Sequence, residues 1–410
     1  MVALLDGIRS IRDLPIENKK VFIRVDFNVP LEDGKITDDS RIREALPTIQ
    51  HAIERGARVI LASHLGRPKK GPDPKLSLEP CAARLAELLS IDVTLPEDCT
   101  GDAPRKVVFD LRAGQVCLLE NLRFHAEEEM DDDGFAKELA TLAEVYVDDA
   151  FGAVHRAHAS VHGMAKLFRD RGCGFLLEKE IQALGKITGA PDRPYVAVLG
   201  GAKVSDKIAV IEALLAKVDK LVIGGAMANT FLRAKGCNMQ ASRVEEDKLA
   251  LARTLLEKAR DRKVEVLLPT DVVCAPSFNA REGALAPVGA IPEGNMALDI
   301  GPASLEAFSA AFTGAKTILW NGPMGLFEKE PFSSGSFGLA RAMARATTDG
   351  GAFTVVGGGD SAACVNACGA EVAGAMSHIS TGGGASLELI EGKKLPGVEV
   401  LRTAVEAARS

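Results

Sequence analysis

The stretch that decides the fold is residues 196–208, Val-Ala-Val-Leu-Gly-Gly-Ala-Lys-Val-Ser-Asp-Lys-Ile. Its apolar start predicts a buried strand, the two glycines permit a tight turn, and the residues from Lys203 onward have helical spacing. A helix N-terminus presents unpaired N–H groups and a partial positive charge, so the pattern predicts a phosphate-binding turn. Lys203 and Lys207 are expected on one helix face, although two solvated surface lysines would explain this stretch about as well.

Two further glycine clusters follow apolar strands near the end of the chain. Residues 353–356 lead into Gly357-Gly358-Gly359-Asp360-Ser361, and residues 378–381 lead into Gly382-Gly383-Gly384-Ala385-Ser386. Ligands of open α/β sheets lie outside the carboxyl ends of the strands, so we expect the three turns to line one ledge. Strands and helices alternate in both halves of the sequence, which predicts an α/β protein with two doubly wound, parallel, Rossmann-like domains.

Composition restricts the class of protein. The 410 residues suffice for two domains, and 47% hydrophobic with 26% charged residues is ordinary for a globular chain. A net charge of −7 argues against a general nucleic-acid surface, and no apolar run reaches the ~18 residues that cross a membrane. Eight cysteines without paired CxxC motifs, and a start that lacks a signal-peptide pattern, lead us to expect reduced thiols and a cytoplasmic location.

The first half of the chain delivers basic residues to the ends of successive strands. Arg24, Asp26 and Asn28 alternate along one strand end, so their side chains are expected to converge. Arginines recur after or near the following strands, and guanidinium groups hold phosphate or carboxylate through paired hydrogen bonds. The sequence therefore predicts a basic pocket formed by Arg24, Arg41, Arg67, Arg123 and Arg156.

A domain boundary is expected at the amphipathic segment 174–187, which precedes Gly189-Ala190-Pro191-Asp192-Arg193-Pro194. We expect an N-terminal domain over residues 1–173, an interdomain helix within 174–190 and a C-terminal domain over 191–390. A last helix, at about 398–408, follows a Pro-Gly turn, and the pattern alone allows it to pack on either domain.

The sequence also contains patterns of two other functional classes, a dehydrogenase and a zinc hydrolase. Gly357-x-Gly359-x-x-Ala362 fits a dinucleotide fingerprint, but the acidic residue expected ~20 positions later is missing, so a dehydrogenase is disfavoured. His155, His158 and His162 have the spacing of one helix face and follow two aspartates, which could hold zinc for hydrolysis. Arg156 lies among these histidines and argues against a cation there.

The sequence resembles the phosphoglycerate kinase family from about residue 5 to the C-terminus. The resemblance rests on strings in family order: residues 24–30 (RVDFNVP), 63–68 (SHLGRP), 149–152 (DAFG), 155–158 (HRAH), 200–207 (GGAKVSDK), 321–328 (NGPMGLFE), 357–361 (GGGDS) and 380–386 (STGGGAS). It implies transfer of the acyl phosphate of 1,3-bisphosphoglycerate to ADP, giving ATP and 3-phosphoglycerate, with Mg²⁺ bound as MgADP or MgATP. It also implies two domains joined by a hinge, with the C-terminal segment 391–410 returning to the first.

The resemblance also implies roles for individual residues. The triose-binding set would be Asp26, Asn28, Arg41, His64, Arg67, Arg123 and Arg156, with Arg41 also reaching the transferred phosphoryl group. The nucleotide-binding set would be Lys203, Lys207, Gly225, Glu328, Gly357, Gly358, Gly359, Asp360 and Ser361, with Asp360 as the magnesium carboxylate. Arg41, Lys203, Gly359 and Gly382 would act on the transferred group.

The sequence contains no convincing acid–base or nucleophile triad, and phosphoryl transfer of this kind needs none. In the ATP-consuming direction the nucleophile is a carboxylate already ionised at neutral pH, so positioning and charge stabilisation suffice without a protein base. No nucleic-acid or membrane partner is expected, the family suggests a monomer, and hinge closure is expected to unite the two substrates. A nucleotide-binding module without catalysis remains the third alternative, but it leaves the arginines of the first half unexplained.

Overall fold

The computed structural model describes residues 4–69 and 71–403. Their contacts divide into two compact units. The first unit contains the described residues up to Gln182 together with those from Lys394, and the second contains Ala183–Lys393. Within the described ranges, no helix is long and apolar enough to cross a bilayer.

The first unit is built on a six-stranded parallel sheet with the strand order β5-β6-β4-β1-β7-β8. Its strands, with the separate two-stranded hairpin of β2 and β3, are β1 (Lys20–Arg24), β2 (Leu31–Glu32), β3 (Lys35–Ile36), β4 (Arg58–Ala62), β5 (Val93–Thr94), β6 (Val116–Leu118), β7 (Val145–Asp148) and β8 (Arg171–Cys173). The central strands are apolar without alternation because helices cover both faces of a parallel sheet.

Six helices follow in chain order, and the last of them, α6, crosses the limit between the two units at residues 182 and 183. They are α1 (Ser40–Glu54), α2 (Glu79–Leu89), α3 (Asp102–Asp110), α4 (Ala126–Glu129), α5 (Asp133–Ala140) and α6 (Phe175–Thr188). Pro80 stands in the first turn of α2, where a missing N–H breaks no bond of the helix. Helix α6 covers nearly all of the predicted amphipathic segment 174–187.

The second unit repeats the parallel arrangement with the strand order β11-β10-β9-β15-β16-β17, beside a three-stranded antiparallel sheet β13-β12-β14. The strands are β9 (Tyr195–Leu199), β10 (Lys220–Ile223), β11 (Glu265–Leu267), β12 (Asp271–Ala275), β13 (Ala284–Pro287), β14 (Met296–Ile300), β15 (Thr317–Asn321), β16 (Phe353–Gly357) and β17 (His378–Ile379). Strand order reverses between β9 and β15, which is where an open α/β sheet forms its ligand crevice.

Eight helices belong to the second unit. They are α7 (Ile208–Leu215), α8 (Gly225–Ala234), α9 (Leu249–Asp261), α10 (Pro302–Ala310), α11 (Ser334–Thr348), α12 (Gly359–Ala367), α13 (Ala370–Ala375) and α14 (Gly383–Ile390). The core includes the fully buried Trp320, which is the single tryptophan of the sequence. The two parallel sheets with their helices confirm the predicted α/β class and the doubly wound sheet in each half.

The C-terminal segment packs on the first unit, as the family resemblance implied. It contains a short helix, α15 (Pro396–Glu399), and Arg171 donates hydrogen bonds to the carbonyls of Val400 at 2.8 Å and Arg402 at 3.0 Å. Since Thr403 also pairs with Gly7, the chain cannot continue as a helix there. The predicted helix over 398–408 is therefore present at residues 398–399 and wrong over residues 400–403, and residues 404–410 lie outside the described part.

Candidate functional site

The first-unit site comprises Asp26, Asn28, Arg41, His64, Arg67, Arg123 and Arg156, which lie around the carboxyl ends of the first sheet. Arg41, in the first turn of α1, donates to Asp26 Oδ2 at 2.5 Å. Residue 152 is glycine because a Cβ there would strike the Asp26 carboxylate. The ion pair is half-buried, so it holds the Arg41 guanidinium beside the strand end.

Asn28 and Arg123 meet at the turn after β4. Asn28 Oδ1 accepts a hydrogen bond from Gly66 N at 2.8 Å, and Arg123 donates to Gly66 O at 2.7 Å. Burial lowers the pKa of Arg123, but an arginine keeps its charge at any physiological pH. Arg67 follows directly after Gly66 and is exposed. The turn therefore brings three members of the first-unit site together: Arg67 follows Gly66 in the chain, and Asn28 and Arg123 bind the Gly66 main chain.

Asn121 was missed by the sequence reasoning, although it organises this turn. It is fully buried, its side-chain oxygen accepts from Leu65 N and Arg123 N, and its nitrogen donates to the carbonyls of Leu65 and Leu76. A buried amide with all these partners satisfied is a positioning group rather than a surface residue. The available signal was its place just after a predicted strand and two residues before Arg123.

Arg24 does not line the predicted basic pocket. Its side chain is fully buried, and it donates to Ser160 Oγ at 2.8 Å and to the Val25 carbonyl. Glu128 lies 3.9 Å away and accepts hydrogen bonds from both N and Oγ of Ser160. The prediction that Arg24 faces a ligand is therefore wrong, because its charge is neutralised inside the unit, behind the first-unit site.

His64 lies between the buried Arg24 and Asp26 of the first-unit site. Its Nδ1 lies 3.2 Å from a terminal nitrogen of Arg24, and Asp26 Oδ1 lies 4.0 Å away. Burial lowers the pKa of His64 well below its usual value, and the nearby guanidinium groups, first Arg24, add to the effect. His64 is therefore a neutral imidazole at physiological pH.

The three histidines proposed as a metal site have separate environments. His162 Nδ1 is 2.6 Å from Asp131, Arg156 donates to His155 at 3.1 Å, and burial lowers the pKa of His158 to about 4. Residues 159–163 form a π-helical turn, which removes the assumed α-helical spacing. Among the described residues, the one group with metal-ligand spacing is Asp98, Cys99 and His125, where a 2.6 Å hydrogen bond joins Asp98 to His125.

The second-unit cleft lies at the carboxyl ends of β9, β10, β15 and β16. Three glycine turns pack backbone against backbone: Gly201 N donates to Pro323 O at 3.1 Å, and Gly225 N donates to Met324 O at 3.0 Å. A Cβ on Gly225 would lie 2.6 Å from Gly201 N. Close approach of main chains therefore explains why glycine occupies these positions.

The predicted turn at Gly357–Ser361 is hydrogen-bonded to the other glycine turns, and together they form one edge of the second-unit cleft. Asn321 donates to Gly357 O at 2.7 Å, and the Ser361 hydroxyl accepts from Gly322 N at 2.6 Å. Helix α12 begins at Gly359, so its free N–H groups and the exposed Asp360 lie at the ledge. Helix α14 begins beside it, and a Cβ on Gly383 would lie 3.7 Å from Gly359 N. Gly382 immediately precedes that helix.

The expectation that Lys203 and Lys207 share one helix face is wrong. Helix α7 begins only at Ile208, after a short 3₁₀ turn over Ser205–Lys207, and Lys203 precedes both. Glu245 explains this start, because its carboxylate accepts from Val204 N at 2.5 Å and from the Ser205 hydroxyl at 2.5 Å. These bonds hold the segment in a loop that presents the exposed Lys203.

Lys207, unlike the exposed Lys203, is bonded to the protein interior. Its ammonium donates to Gly200 O at 2.7 Å and to O and Oδ1 of Asn321 at 2.8 Å and 2.5 Å. Burial lowers the pKa of Lys207 to about 8, while Asp360 partly opposes that effect. Lys207 therefore binds the ends of β9 and β15 together beneath the glycine turns.

The second-unit cleft is lined on one side by the glycine turns and on the other by the antiparallel sheet. Predicted nucleotide residues in its wall are Gly225, Glu328 and Asp360. Ala226, Leu298 and the half-exposed Phe278 add apolar surface suited to a flat ring. Arginine gathered at the strand ends of one sheet, and glycine turns with helix N-termini at those of the other, are features typical of an α/β phosphotransferase.

The comparisons with known proteins agree with that class. A family model for phosphoglycerate kinase matches residues 11–393. Phosphoglycerate kinase of Anaeromyxobacter dehalogenans (strain 2CP-C) is 59% identical over 397 residues, covering 96% of this chain and 99% of that protein. Cytosolic phosphoglycerate kinase of Triticum aestivum is 52% identical, with 96% and 98% covered. The solved structure of the Coxiella burnetii phosphoglycerate kinase has a TM-score of 0.85 and 40% identity, with 96% and 98% covered.

The chain therefore belongs to the phosphoglycerate kinase family. It catalyses reversible transfer of the acyl phosphate of 1,3-bisphosphoglycerate to ADP, giving ATP and 3-phosphoglycerate. Its substrates are small molecules, and the enzymes of this family generally use Mg²⁺ with the nucleotide. The dehydrogenase and zinc-hydrolase alternatives are thereby set aside.

Proposed function

We propose that the first-unit site binds the triose and that the second-unit cleft binds the magnesium nucleotide. The observation that carries this assignment is the difference in chemistry between the two. The first-unit site concentrates guanidinium groups, which suit the phosphate and carboxylate of 3-phosphoglycerate. The second-unit cleft joins apolar walls to helix N-termini, which suits a purine ring followed by a chain of phosphates.

Within the first-unit site, Arg67, Arg123 and Arg156 are proposed to bind the distal phosphate and the carboxylate. Asn28 holds the turn at Gly66, and His64 offers one neutral hydrogen-bond donor. Asp26 keeps Arg41 in place through the 2.5 Å ion pair. An arginine held in advance loses less side-chain freedom when a ligand arrives, so this pairing favours tight and oriented binding.

Within the second-unit cleft, Glu328 is proposed to bind the ribose, and Gly225 lies in the wall beside the base. The turn Gly357, Gly358, Gly359, Asp360 and Ser361 is proposed to bind the phosphates. Asp360 fits a magnesium role because Mg²⁺ typically takes one or two carboxylates and completes its shell with phosphate oxygens and water. Mg²⁺ bound there would neutralise charge on the β- and γ-phosphates.

For the transfer itself, Arg41 and Lys203 are proposed to stabilise the negative charge on the moving phosphoryl group. The amides at the starts of α12 and α14, at Gly359 and Gly382, are proposed to add hydrogen bonds to the same oxygens. Lys207 has its three donors occupied by protein oxygens, so we assign it to holding the turns, with phosphate contact requiring exchange of one partner. No protein base is required because the attacking carboxylate is already ionised.

Direct transfer requires the two substrates to touch, so we propose hinge closure, with α6 as one hinge element. The assignment of residues 1–173 with 391–410 to the triose and 191–390 to the nucleotide is part of this proposal, as is the connecting segment 174–190. Small-angle scattering should show compaction when 3-phosphoglycerate and a magnesium nucleotide are both bound. An unchanged scattering curve would contradict closure without affecting the residue assignments.

We also propose a cytoplasmic monomer without nucleic-acid or membrane partners. Support comes from eight free cysteines, a pattern typical of reducing compartments, and from the wheat relative named as cytosolic. A net charge of −7 disfavours binding to nucleic acid. Sedimentation at two protein concentrations tests the monomer.

The assignment is tested by turnover of 3-phosphoglycerate with magnesium ATP, coupled to glyceraldehyde-3-phosphate dehydrogenase and NADH. Arg41→Ala and Lys203→Ala should each lower kcat by about 10²-fold or more, the size typical for loss of a group that stabilises transition-state charge. Arg43→Ala and Lys235→Ala are matched controls, because both residues are exposed surface cations in the same units. Equal losses in control and test variants would overturn the assignment.

A further inference from the structure

The contact between Arg24 and His64 determines where the histidine carries its proton. One terminal nitrogen of Arg24 lies 3.2 Å from His64 Nδ1. A guanidinium has only donors, so in this pair the histidine nitrogen must accept. A neutral imidazole has one N–H, which is therefore on Nε2, and the ring offers a donor on the side away from Arg24.

Arg24 is held firmly enough to impose this choice. It is fully buried at the end of β1, and its Nε donates to Ser160 Oγ at 2.8 Å. Ser160 in turn donates from Oγ to Glu128 at 2.6 Å and from N at 2.9 Å. Burial with a carboxylate and a hydroxyl as partners leaves the guanidinium one orientation, and the nitrogen nearest His64 completes the network.

The groups around His64 also keep the ring uncharged. Three guanidinium groups face it from different elements: Arg24 on β1, Arg41 on α1 and Arg123 on the turn after β6. His158 also faces the ring, and burial lowers the pKa of His158 to about 4. One carboxylate opposes them, since Asp26 Oδ1 lies 4.0 Å from His64 Nδ1, and that aspartate is already paired with Arg41. An imidazolium here would meet several positive charges without a free counter-ion.

We infer that Arg24 is a positioning residue of the kinase reaction, which fixes His64 as the neutral Nε2–H tautomer and so presents one uncharged hydrogen-bond donor to the triose. The inference rests on the proposed role of His64 in the first-unit site. The arginines of that site provide positive charge, whereas His64 provides one oriented hydrogen bond, because a neutral N–H bonds to a single oxygen. The protonation state of His64 stays the same between about pH 6 and pH 8. Triose binding thus becomes insensitive to the titration of this histidine.

The direct test uses the wild-type protein, so it does not depend on a variant that folds. Long-range ¹H–¹⁵N spectra of protein labelled with ring-¹⁵N histidine distinguish the two neutral tautomers and the imidazolium. His64→Gln assigns the signal by its loss. We expect the Nε2–H tautomer throughout about pH 6 to pH 8. An Nδ1–H tautomer, or an imidazolium at neutral pH, would overturn the inference.

Kinetics separate this inference from the proposed function. His64→Gln, which places an N–H near the position of Nε2, should change KM for 3-phosphoglycerate only about threefold, whereas His64→Ala should raise it about tenfold or more. If neither substitution alters that KM, His64 does not bind the triose and the proposed function fails at this residue, whatever the spectrum shows. KM for ATP should stay unchanged in both variants.

Arg24→Lys tests the positioning role itself. Lysine keeps the buried charge beside Glu128 but lacks the fork that reaches Ser160 and His64 together. We expect a folded protein whose His64 populates both neutral tautomers, with KM for 3-phosphoglycerate raised several-fold. An unchanged spectrum and an unchanged KM in folded Arg24→Lys would show that Arg24 does not control His64.

Discussion

Lys207 Nζ lies 2.5 Å from Asn321 Oδ1 and 2.8 Å from the carbonyl of the same residue. This contact joins the 3₁₀ turn before α7 to the end of β15, and Lys207 also donates to Gly200 O just after β9, so it connects the two strands between which the strand order reverses. Asn321 continues the connection by donating to Gly357 O at 2.7 Å. One lysine and one asparagine thus hold together three of the turns that form the second-unit cleft.

Lys207→Met should weaken both stability and nucleotide binding. Methionine keeps the apolar stem but leaves three main-chain and side-chain oxygens without their donor, which we expect to destabilise the second unit by about 2 to 3 kcal/mol. KM for ATP should rise, while KM for 3-phosphoglycerate should not. Trp320 fluorescence during urea unfolding reports on the second unit, and Lys235→Met is the control. A change in kcat alone would contradict this structural role.

Glu245→Gln should disturb the loop that presents Lys203. The carboxylate accepts from Val204 N, Ser205 N and the Ser205 hydroxyl, and an amide can satisfy only part of this set. We expect kcat/KM for ATP to fall about tenfold, which corresponds to roughly 1.4 kcal/mol of lost positioning. Glu246→Gln is the control, since that exposed neighbour pairs with Arg233 at the surface. Equal effects of the two substitutions would contradict the role of Glu245.

Gly200→Ala should destabilise the second unit through overpacking. Its φ is ordinary, but an added Cβ would lie 2.5 Å from Gly322 O and 2.7 Å from the end of Met324. Displacing main-chain atoms in a tight turn should lower the free energy of unfolding by about 1 to 3 kcal/mol. Gly374→Ala, in α13, meets no atom within 4 Å and should be neutral or slightly stabilising. Urea unfolding followed by Trp320 measures both, and equal shifts would refute the packing argument.

Asp299 should make the stability of the second unit depend on pH. Burial raises the pKa of this carboxyl from 3.8 to about 7, although Gly335 N and Ile300 N donate to it. The folded state therefore binds the proton more tightly than the unfolded state. Its contribution to the free energy of unfolding is fully present below about pH 4 and is lost as pH rises to about 7.

Asp299→Asn removes that titration. The free energy of unfolding of the wild type minus that of the variant should fall between about pH 4 and pH 7 and stay level above. Urea unfolding at several pH values, followed by Trp320 fluorescence, gives this difference. Glu306→Gln, on the exposed side of α10, is the control and should show no such trend. A constant difference for Asp299→Asn would contradict the raised pKa.

The glycine turns and the alternation of strands and helices were predictable because their causes are local. A run such as residues 196–199 is apolar throughout only if both faces of the strand are covered, and glycine pairs after it permit the turn. Arg41, Arg67, Arg123 and Arg156 could be placed at the first sheet for a related reason, whereas the full set of seven residues was implied only by the family resemblance. Parallel strands place their carboxyl ends at one edge, so polar residues after successive strands must gather there.

The errors came from contacts between residues distant in the sequence. Lys203 is not in a helix because Glu245 accepts hydrogen bonds from the amides that follow it. Arg24 does not line the predicted pocket because its side chain is buried, donates to Ser160 and has Glu128 as its counter-ion. The C-terminal helix stopped at Glu399 because Arg171 takes the next carbonyls. Helical periodicity contains no information about such partners.

The sequence by itself determined the fold class, the family and the edge of each sheet at which function is concentrated. Only the tertiary structure decided which cation faces a ligand and which is internal, and which nitrogen of His64 carries a proton. The physical reason is that periodicity and turn chemistry act over a few residues, whereas burial, charge neutralisation and hydrogen-bond direction depend on groups that folding brings from far along the chain.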